Sequence, residues 1–488
     1  MTRSDKRRRK RPAVKPQHNG YFTHTEAQEK TLDDALEHHQ AGRLNEAERL
    51  YRGLLSTNPN HPMALHYLGL LAHQVGQYEP SIELISKAIA VMPDYVEAHC
   101  NLANTLVQLE QAEEAEESCL AAIALDPKAV SAHNHLAKAL RMQGRLDDAL
   151  ESCQKALALN PDLADAHETM GTVYSEQGRL EEAVESYLKA ISLNPNSASY
   201  HNNFGSALYM LGQYDKAVTH YQNAISLQPD YVMAHQNLAN ALRDAGRIDE
   251  TIACLKTVLE LKPDLTSAQH NLNALLGETT DNAPREYVEE LFDQYANRFE
   301  DDLQNKLEYQ IPSLLKKLLV DAGLAEGKYQ KVVDLGCGTG LAGIEFRDIA
   351  ETLTGIDLSA KMIRNAEKKG VYDQLLVDDL IQGMERVGSK VDLFISTDVF
   401  VYIGNLQDAF EAIKNNAAAD ALFVFSTEHI ESDDGFVLQK SSRYAHSKAY
   451  IEKLAEQFGF EVLHFQQVDL RKEKTGWIDG AMYVLKCL

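Results

Sequence analysis

Two different periodicities divide this chain. From residue 28 to 277, apolar residues recur at helical spacing in stretches separated by turn residues that themselves repeat. Gly42, Gly76, Gly144, Gly178, Gly212 and Gly246 fall on one lattice, with Glu110 at the point where a glycine is missing. Pro59, Pro93, Pro127, Pro161, Pro195, Pro229 and Pro263 mark the same lattice at a second phase. A period of about 34 residues, with a glycine turn after one helix and a proline stop after the next, predicts stacked helix pairs. A small residue recurs after the turn (Ala47, Ser81, Ala115, Ala149, Ala183, Ala217), where paired helices need close approach. Seven pairs and a last single helix near 265–276 are expected to form a right-handed superhelix.

Beyond Gly277 the lattice stops. Residues 278–284 read as a short polar linker, and 285–310 as an acid-rich segment carrying Tyr287, Phe292, Tyr295, Phe299 and Tyr309. Short apolar runs then alternate with helical stretches. Strands are predicted at 332–335, 353–356, 374–377, 393–396 and 421–425, with helices at 341–350, 360–369, 381–387 and 406–416 between them. A helix over 447–458 and a closing strand pair, 461–468 and 481–486, complete the pattern. Such alternation predicts a doubly wound α/β sheet. The domain reading is a basic disordered tail (1–27), an all-α repeat (28–277), a linker (278–284) and an α/β domain (285–488).

Composition narrows the classes. Of 488 residues, 72 are Asp or Glu and 48 Lys or Arg, a net charge of −24. That balance argues against a general nucleic-acid binder, because phosphate contacts supply most non-specific affinity. The basic residues Arg3, Lys6, Arg7, Arg8, Arg9, Lys10, Arg11 and Lys15 crowd the tail, read as solvated chain, with an address or an arm for an anionic surface as the alternative. Six scattered cysteines form no metal-ligand spacing and imply a reduced, cytoplasmic setting. No apolar run is long enough to cross a bilayer.

One stretch carries candidate chemistry. Residues 331–340, K-V-V-D-L-G-C-G-T-G, run from an apolar strand through Asp334 into Gly336, Gly338 and Gly340. A dinucleotide-binding turn would place its third glycine one residue later. Acids also stand at the ends of the next three predicted strands, at Asp357, Asp378–Asp379 and Asp398. This spacing resembles motif I and its companions in the class I S-adenosylmethionine-dependent methyltransferases, and a last antiparallel strand inserted by a hairpin is similar to that family's sheet. The resemblance implies S-adenosylmethionine as cofactor, with Asp334, Gly336, Cys337, Gly338 and Gly340 in its turn and Asp357 on the ribose hydroxyls. It implies Asp379 (or its neighbour Asp378) at the adenine amine, Leu358 and Leu380 against the ring, and Asp398 at the amino group or the substrate. Tyr287, Tyr295 and Phe299 are implied lid residues. For the acceptor side the candidates are Tyr402, where many relatives carry histidine, His429 in the polar run 426–429, and Arg443 and His446 in 441–447. A hydroxyl or amine acceptor could use Tyr402, His429 or His446 as base. A carboxylate acceptor would need none, and Arg443 could orient it. No metal is required.

Two polar ladders run through the first helices of the repeats. His99, His133, His167, His201 and His235 invite a metal reading. Neighbouring helices lie about 8–10 Å apart, too far for ligands that must each sit about 2.0–2.1 Å from a shared zinc, so packing is expected instead. The second ladder is Asn101, Asn203, Asn237 and Asn271. The lattice, with phrases such as G-R-L-E-E-A at 178–183, resembles tetratricopeptide repeats. After the basic tail nearly the whole chain is similar to bacterial proteins that fuse such repeats to a methyltransferase domain. That resemblance implies a protein or peptide held in the repeat groove by the four asparagines, whose amides both donate and accept. A small-molecule methyltransferase whose repeats serve only assembly, and a scaffold with a non-catalytic cofactor domain, are the competing readings.

Overall fold

The computed structural model describes residues 26–296, 299–301, 303, 307–388, 390–432, 435–473 and 476–488. The basic residues of the tail, Arg3 to Lys15, lie outside the described residues, and the first helix begins at Glu26. The chain forms two compact units that divide between Gln228 and Pro229.

The first unit is built of helix pairs, from Glu26–Gln40 with Leu44–Thr57 to Ala198–Met210 with Tyr214–Leu227. Gly42, at φ +74°, and its lattice equivalents turn the chain after each first helix in the left-handed region. Glu110 adopts the same conformation, at φ +59°, so the turn survives where glycine is missing. Close approach explains the small residues. Ala47, Ser81, Ala115, Ala149, Ala183 and Ala217 are completely buried. A Cβ on Gly171 would meet the Tyr187 ring at 2.9 Å, and one on Gly205 the Tyr221 ring at 2.8 Å.

The histidine ladder is a set of turn locks. In the first unit Nε2 of His99, His133, His167 and His201 donates to the carbonyls of Pro93, Pro127, Pro161 and Pro195 at 3.0, 3.0, 2.9 and 3.2 Å. Each bond ties the proline that ends one pair to the helix that opens the next. Among the described residues no cluster of metal ligands forms. The asparagine ladder is also spoken for: Asn101 Nδ2 donates to His66 Nε2 at 2.9 Å and Asn203 Nδ2 to Glu168 at 2.8 Å, each in the preceding repeat.

The second unit opens with a further pair, Val232–Asp244 and Ile248–Leu261, and the single helix Thr266–Leu276. Here His235 donates to the Pro229 carbonyl at 2.9 Å. The rest is built on one nine-stranded sheet with helices before and between its strands: β1 (Tyr329–Leu335), β2 (Ala350–Asp357), β3 (Gln374–Val377), β4 (Val391–Ser396), β5 (Ala417–Ile430), β6 (Phe436–Leu438), β7 (Tyr444–Ser447), β8 (Phe460–Glu473) and β9 (Gly476–Cys487). The path runs β3-β2-β1-β4-β5-β7-β6, and β9 pairs antiparallel with both β5 and β8. Strand alternation sends side chains to two cores. Val333, Phe394, Phe423, Phe425 and Tyr483 pack on one face, and Val332, Leu393, Ile395, Leu422 and Val424 on the other.

Three features depart from expectation. The polar run 426–429 lies beyond the predicted fifth strand, 421–425, yet it continues β5, because β9 extends the ladder through Ser426↔Met482, Thr427↔Ala481 and Glu428↔Gly480. Residues 444–447 form β7, a strand the pattern does not predict, and Ser447 then caps Lys448–Phe458 by accepting from Tyr450 N at 3.2 Å. Residues 278–284 do not run free. Asp281 O accepts from Gly404 N and Asn405 N at 2.8 and 2.7 Å, Ala283 N donates to Tyr402 O at 3.0 Å, and Thr280 Oγ1 bonds Tyr444 Oη at 2.7 Å. Ala274 of the last repeat helix is buried against Leu438 and Tyr444, which explains why this helix belongs to the second unit.

Candidate active site

A cavity of about 620 Å³ opens at the carboxyl ends of β1, β2, β3 and β4, where open α/β sheets bind ligands. Its floor is the glycine turn. Gly336 N and Cys337 N donate to Ile356 O at 2.8 and 2.9 Å, so the turn after β1 is pinned to the end of β2. Gly336 lies at φ +69°, and a Cβ there would fall 2.2 Å from Val399 Cγ2. Only glycine admits that approach. Val288, Leu291, Phe292, Tyr295 and Phe299 also line the cavity, Phe299 close to Gly338. Tyr287 instead packs tilted against His270, ring centroids 5.0 Å apart.

Asp357 ends β2 beside this turn. Its Oδ2 accepts from Gly338 N at 2.8 Å and its Oδ1 from Ser359 N at 2.8 Å. Burial raises its carboxyl to about 6, against these two stabilising bonds. Asp379 Oδ1 caps the helix Leu380–Val387 through Ile381 N and Gln382 N, both at 3.0 Å, and Oδ2 accepts from Arg285 at 3.3 Å. Asp378 accepts from Arg386 at 2.9 Å. Leu358, Asp378, Asp379 and Leu380 all line the cavity.

At the end of β4 the backbone is strained: Asp398 sits at φ +57°. Its Oδ2 accepts from Arg471 Nη1 at 2.8 Å, and its N donates to Ser426 Oγ at 3.0 Å. Arg471, only 3% exposed, also donates to Glu428 and, at 3.1 Å, to Glu473. Arg443 donates to that same Glu473 and lies 3.9 Å from Glu428. Two guanidinium groups and three carboxylates thus form one chain of charge along the acceptor side, and Asp398, Arg443 and Arg471 reach the cavity wall.

Comparison with known proteins agrees with this geometry. Residues 332–420 match a family described as "Methyltransferase domain". Residues 32–94, 100–164, 152–185 and 234–265 match families described as "Tetratricopeptide repeat", and 171–212 and 205–242 one described as "TPR repeat". The chain joins tetratricopeptide repeats to a methyltransferase domain. Part of it is 27% identical over 122 residues to malonyl-[acyl-carrier protein] O-methyltransferase of Enterobacter lignolyticus, covering 24% of this chain and 48% of that protein. The protein of the same description from Bacillus cereus is 25% identical over 139 residues, covering 28% and 48%. The chain spans about half the length of these curated relatives. Among solved structures, the APC/C hetero-tetramer Cut9–Hcn1 aligns at 18% identity and TM-score 0.46, covering 50% of this chain and 48% of that one.

Within the methyltransferase domain the sequence candidates separate. Gly336, Cys337, Gly338, Asp357, Leu358, Asp379, Leu380, Asp398, Tyr402 and Arg443 share the cavity wall. Asp334 and Gly340 do not. Asp334 is a fully buried residue of β1 between β2 and β4, where burial lifts its carboxyl to about 7 while Tyr372 Oη donates to it at 2.6 Å.

Neither acceptor-side histidine reaches the cavity, and this corrects the expectation for both. Along β5, Ser426 and Glu428 face Asp398 and Arg471, so Thr427 and His429 point to the opposite face, where His429 packs on Phe465 with ring centroids 5.9 Å apart. His446 is fully buried on β7. Its Nε2 lies 3.0 Å from the carbonyls of Ile403 and Gly404, and burial lowers its pKa to about 4. Of the groove asparagines, Asn271 accepts from Ser442 Oγ at 2.7 Å, and Asn237 also has a partner. Asn101, Asn203 and Asn271 thus each make a hydrogen bond within the protein. Sequence reasoning missed Arg471, Glu473 and Arg285. No local spacing marks them, since each is brought in by a distant strand or segment. Among the described residues no helix is long and apolar enough to cross a membrane.

Proposed function

We propose that this protein transfers a methyl group from S-adenosylmethionine to an acceptor entering beside Tyr402 and Arg443, and that its repeats recruit a protein partner or substrate. The observation that carries the reading is the junction of the β1 turn with Asp357: a turn where Gly336 leaves no room for a Cβ, next to a carboxylate with two acceptor oxygens. The cavity volume suits a ligand of that size. In this reading Asp357 takes the ribose hydroxyls, Asp379 the adenine amine, Leu358 and Leu380 the ring faces, and Asp398 the ammonium end. The bound cofactor supplies a methyl carbon already activated by its sulfonium. The protein's work is to align the acceptor with that carbon and to exclude water. The aromatic side chains Phe292, Tyr295 and Phe299 serve the second task.

With His429 and His446 facing away, Tyr402 is the sequence-predicted base left at the wall, and Arg443 the group left to orient an anionic acceptor. The curated relatives are named as O-methyltransferases of malonyl-[acyl-carrier protein], so a carrier-bound oxygen acceptor is the first class to try here. The repeats support a protein-binding role by their kind rather than by the asparagines. The test is methyl-labelled S-adenosylmethionine incubated with the protein and cell extract, then separated into protein-bound and small-molecule fractions. Label on protein or on a carrier supports recruitment. Label only on free small molecules overturns it, and no label above a protein-free control overturns methyl transfer.

A further inference from the structure

The last repeat helix, Thr266–Leu276, bonds directly to the turn that carries Arg443. His270 Nε2 donates to Ser442 O at 3.1 Å, and Ser442 Oγ donates to Asn271 Oδ1 at 2.7 Å. Ser442 is buried and sits at φ +64°, a conformation a serine adopts only when its surroundings impose it. Gln439 N donates to Arg443 O and Ser442 N to Gln439 O, at 2.8 and 2.9 Å, which closes the β6–β7 turn. One residue on, Arg443 leaves this turn for the cavity wall and meets Glu473. Glu473 holds Arg471, and Arg471 holds Asp398 at the end of β4. Hydrogen bonds on either side of the Ser442–Arg443 peptide link thus connect a repeat helix to a cavity carboxylate.

We propose that Asn271 and His270 are positioning residues for the cavity. By fixing Ser442 in its left-handed conformation they set Arg443, and through Glu473 and Arg471 they set the orientation of Asp398 toward the ligand. The last repeat helix is in this respect part of the active site's support. The inference rests on the cofactor reading above, since Asp398 is there assigned to the ammonium end.

The chemistry of the Asn271 contact makes the test sharp. Only its oxygen is used, as an acceptor from Ser442 Oγ, so Asn271→Asp keeps the bond and Asn271→Ala removes it. S-adenosylmethionine binding to the full chain is measured by calorimetry, with a melting curve for each variant. Asn271→Ala should bind roughly two- to ten-fold more weakly, the loss of one buried hydrogen bond's worth of alignment, and Asn271→Asp should bind like the parent. Gln269→Ala, on the exposed side of the same helix, should change nothing. A helix that merely docks would lower the melting temperature of Asn271→Ala and leave its affinity at the parent's value, and that result overturns the proposal. Should Asn271→Ala fail to fold, Ser442→Ala removes the same hydroxyl while keeping a side chain that needs its surroundings to hold the left-handed backbone, and unchanged affinity there is equally decisive. If the parent itself binds no S-adenosylmethionine, the cofactor reading fails first, and the two failures are told apart.

Discussion

Replacing Gly336 by alanine tests the floor of the cavity. The new methyl would lie 2.2 Å from Val399 Cγ2 and 3.1 Å from Cγ1, on a backbone at φ +69°. Two costs add. Holding alanine in the left-handed region costs about 1–2 kcal/mol. Forcing a methyl into packed space costs about 1–3 kcal/mol more. Gly338, at φ +52°, isolates the first cost, because a Cβ there meets nothing closer than Phe299 Cε1 at 3.6 Å. Gly336→Ala should therefore lose about 2–5 kcal/mol of stability and Gly338→Ala about 1–2 kcal/mol. Trp477, the protein's single tryptophan, lies in β9, so its fluorescence in urea reports the methyltransferase unit without signal from the other. Val399→Ala clears the space, and the double variant Gly336→Ala/Val399→Ala should recover the steric part and retain the conformational part. Equal losses for Gly336→Ala with and without Val399 would refute the close-contact reasoning.

Acidity should weaken the cofactor site. Burial raises the Asp357 carboxyl to about 6, and the ribose hydroxyls require its ionised form, so affinity is full above that pH and falls toward about ten-fold per unit below it. For stability the sign is reversed: the folded state holds this proton more tightly than the unfolded chain, so this residue's contribution declines as pH rises from about 4 to 6, measurable by urea titration across that range. Arg471→Met leaves Glu428, 2% exposed, without its main partner and should cost about 3–5 kcal/mol near neutrality, less at low pH where Glu428 is protonated; a loss independent of pH would contradict the pairing. A fragment of residues 229–488 should fold and bind S-adenosylmethionine, whereas 281–488, lacking His270, Asn271 and Ala274, should melt at lower temperature; equal melting would return the boundary to the polar linker.

The helical half was legible because its signals are local. Glycine turns, proline stops and small contact residues each act within one repeat, and even Glu110 keeps its lattice geometry. The cavity floor was legible for the same reason: Gly336 to Asp357 is one βαβ step, with its acid at the strand end where spacing predicts it. What failed was non-local. The face on which His429 points depends on β5 running on past Phe425, which β9 decides from far along the chain. The buried arginine of the acceptor side, Arg471, comes from a hairpin strand with no motif around it, and its partners Asp398 and Glu428 sit on two other strands or strand ends. The polar segment 278–284 reads as a linker by composition, yet its backbone groups find partners at 402–405. A free amide and one bonded to a neighbouring repeat look alike in sequence, as Asn101 and Asn203 show.

The central claim is that Asp357 and the β1 turn hold S-adenosylmethionine, and calorimetry on the parent and Asp357→Ala tests it directly. The account predicts parent binding at low micromolar or tighter, about −8 kcal/mol at 1 µM, and at least a ten-fold loss in the variant. No heat of binding with the parent, or the same affinity in Asp357→Ala, would contradict it.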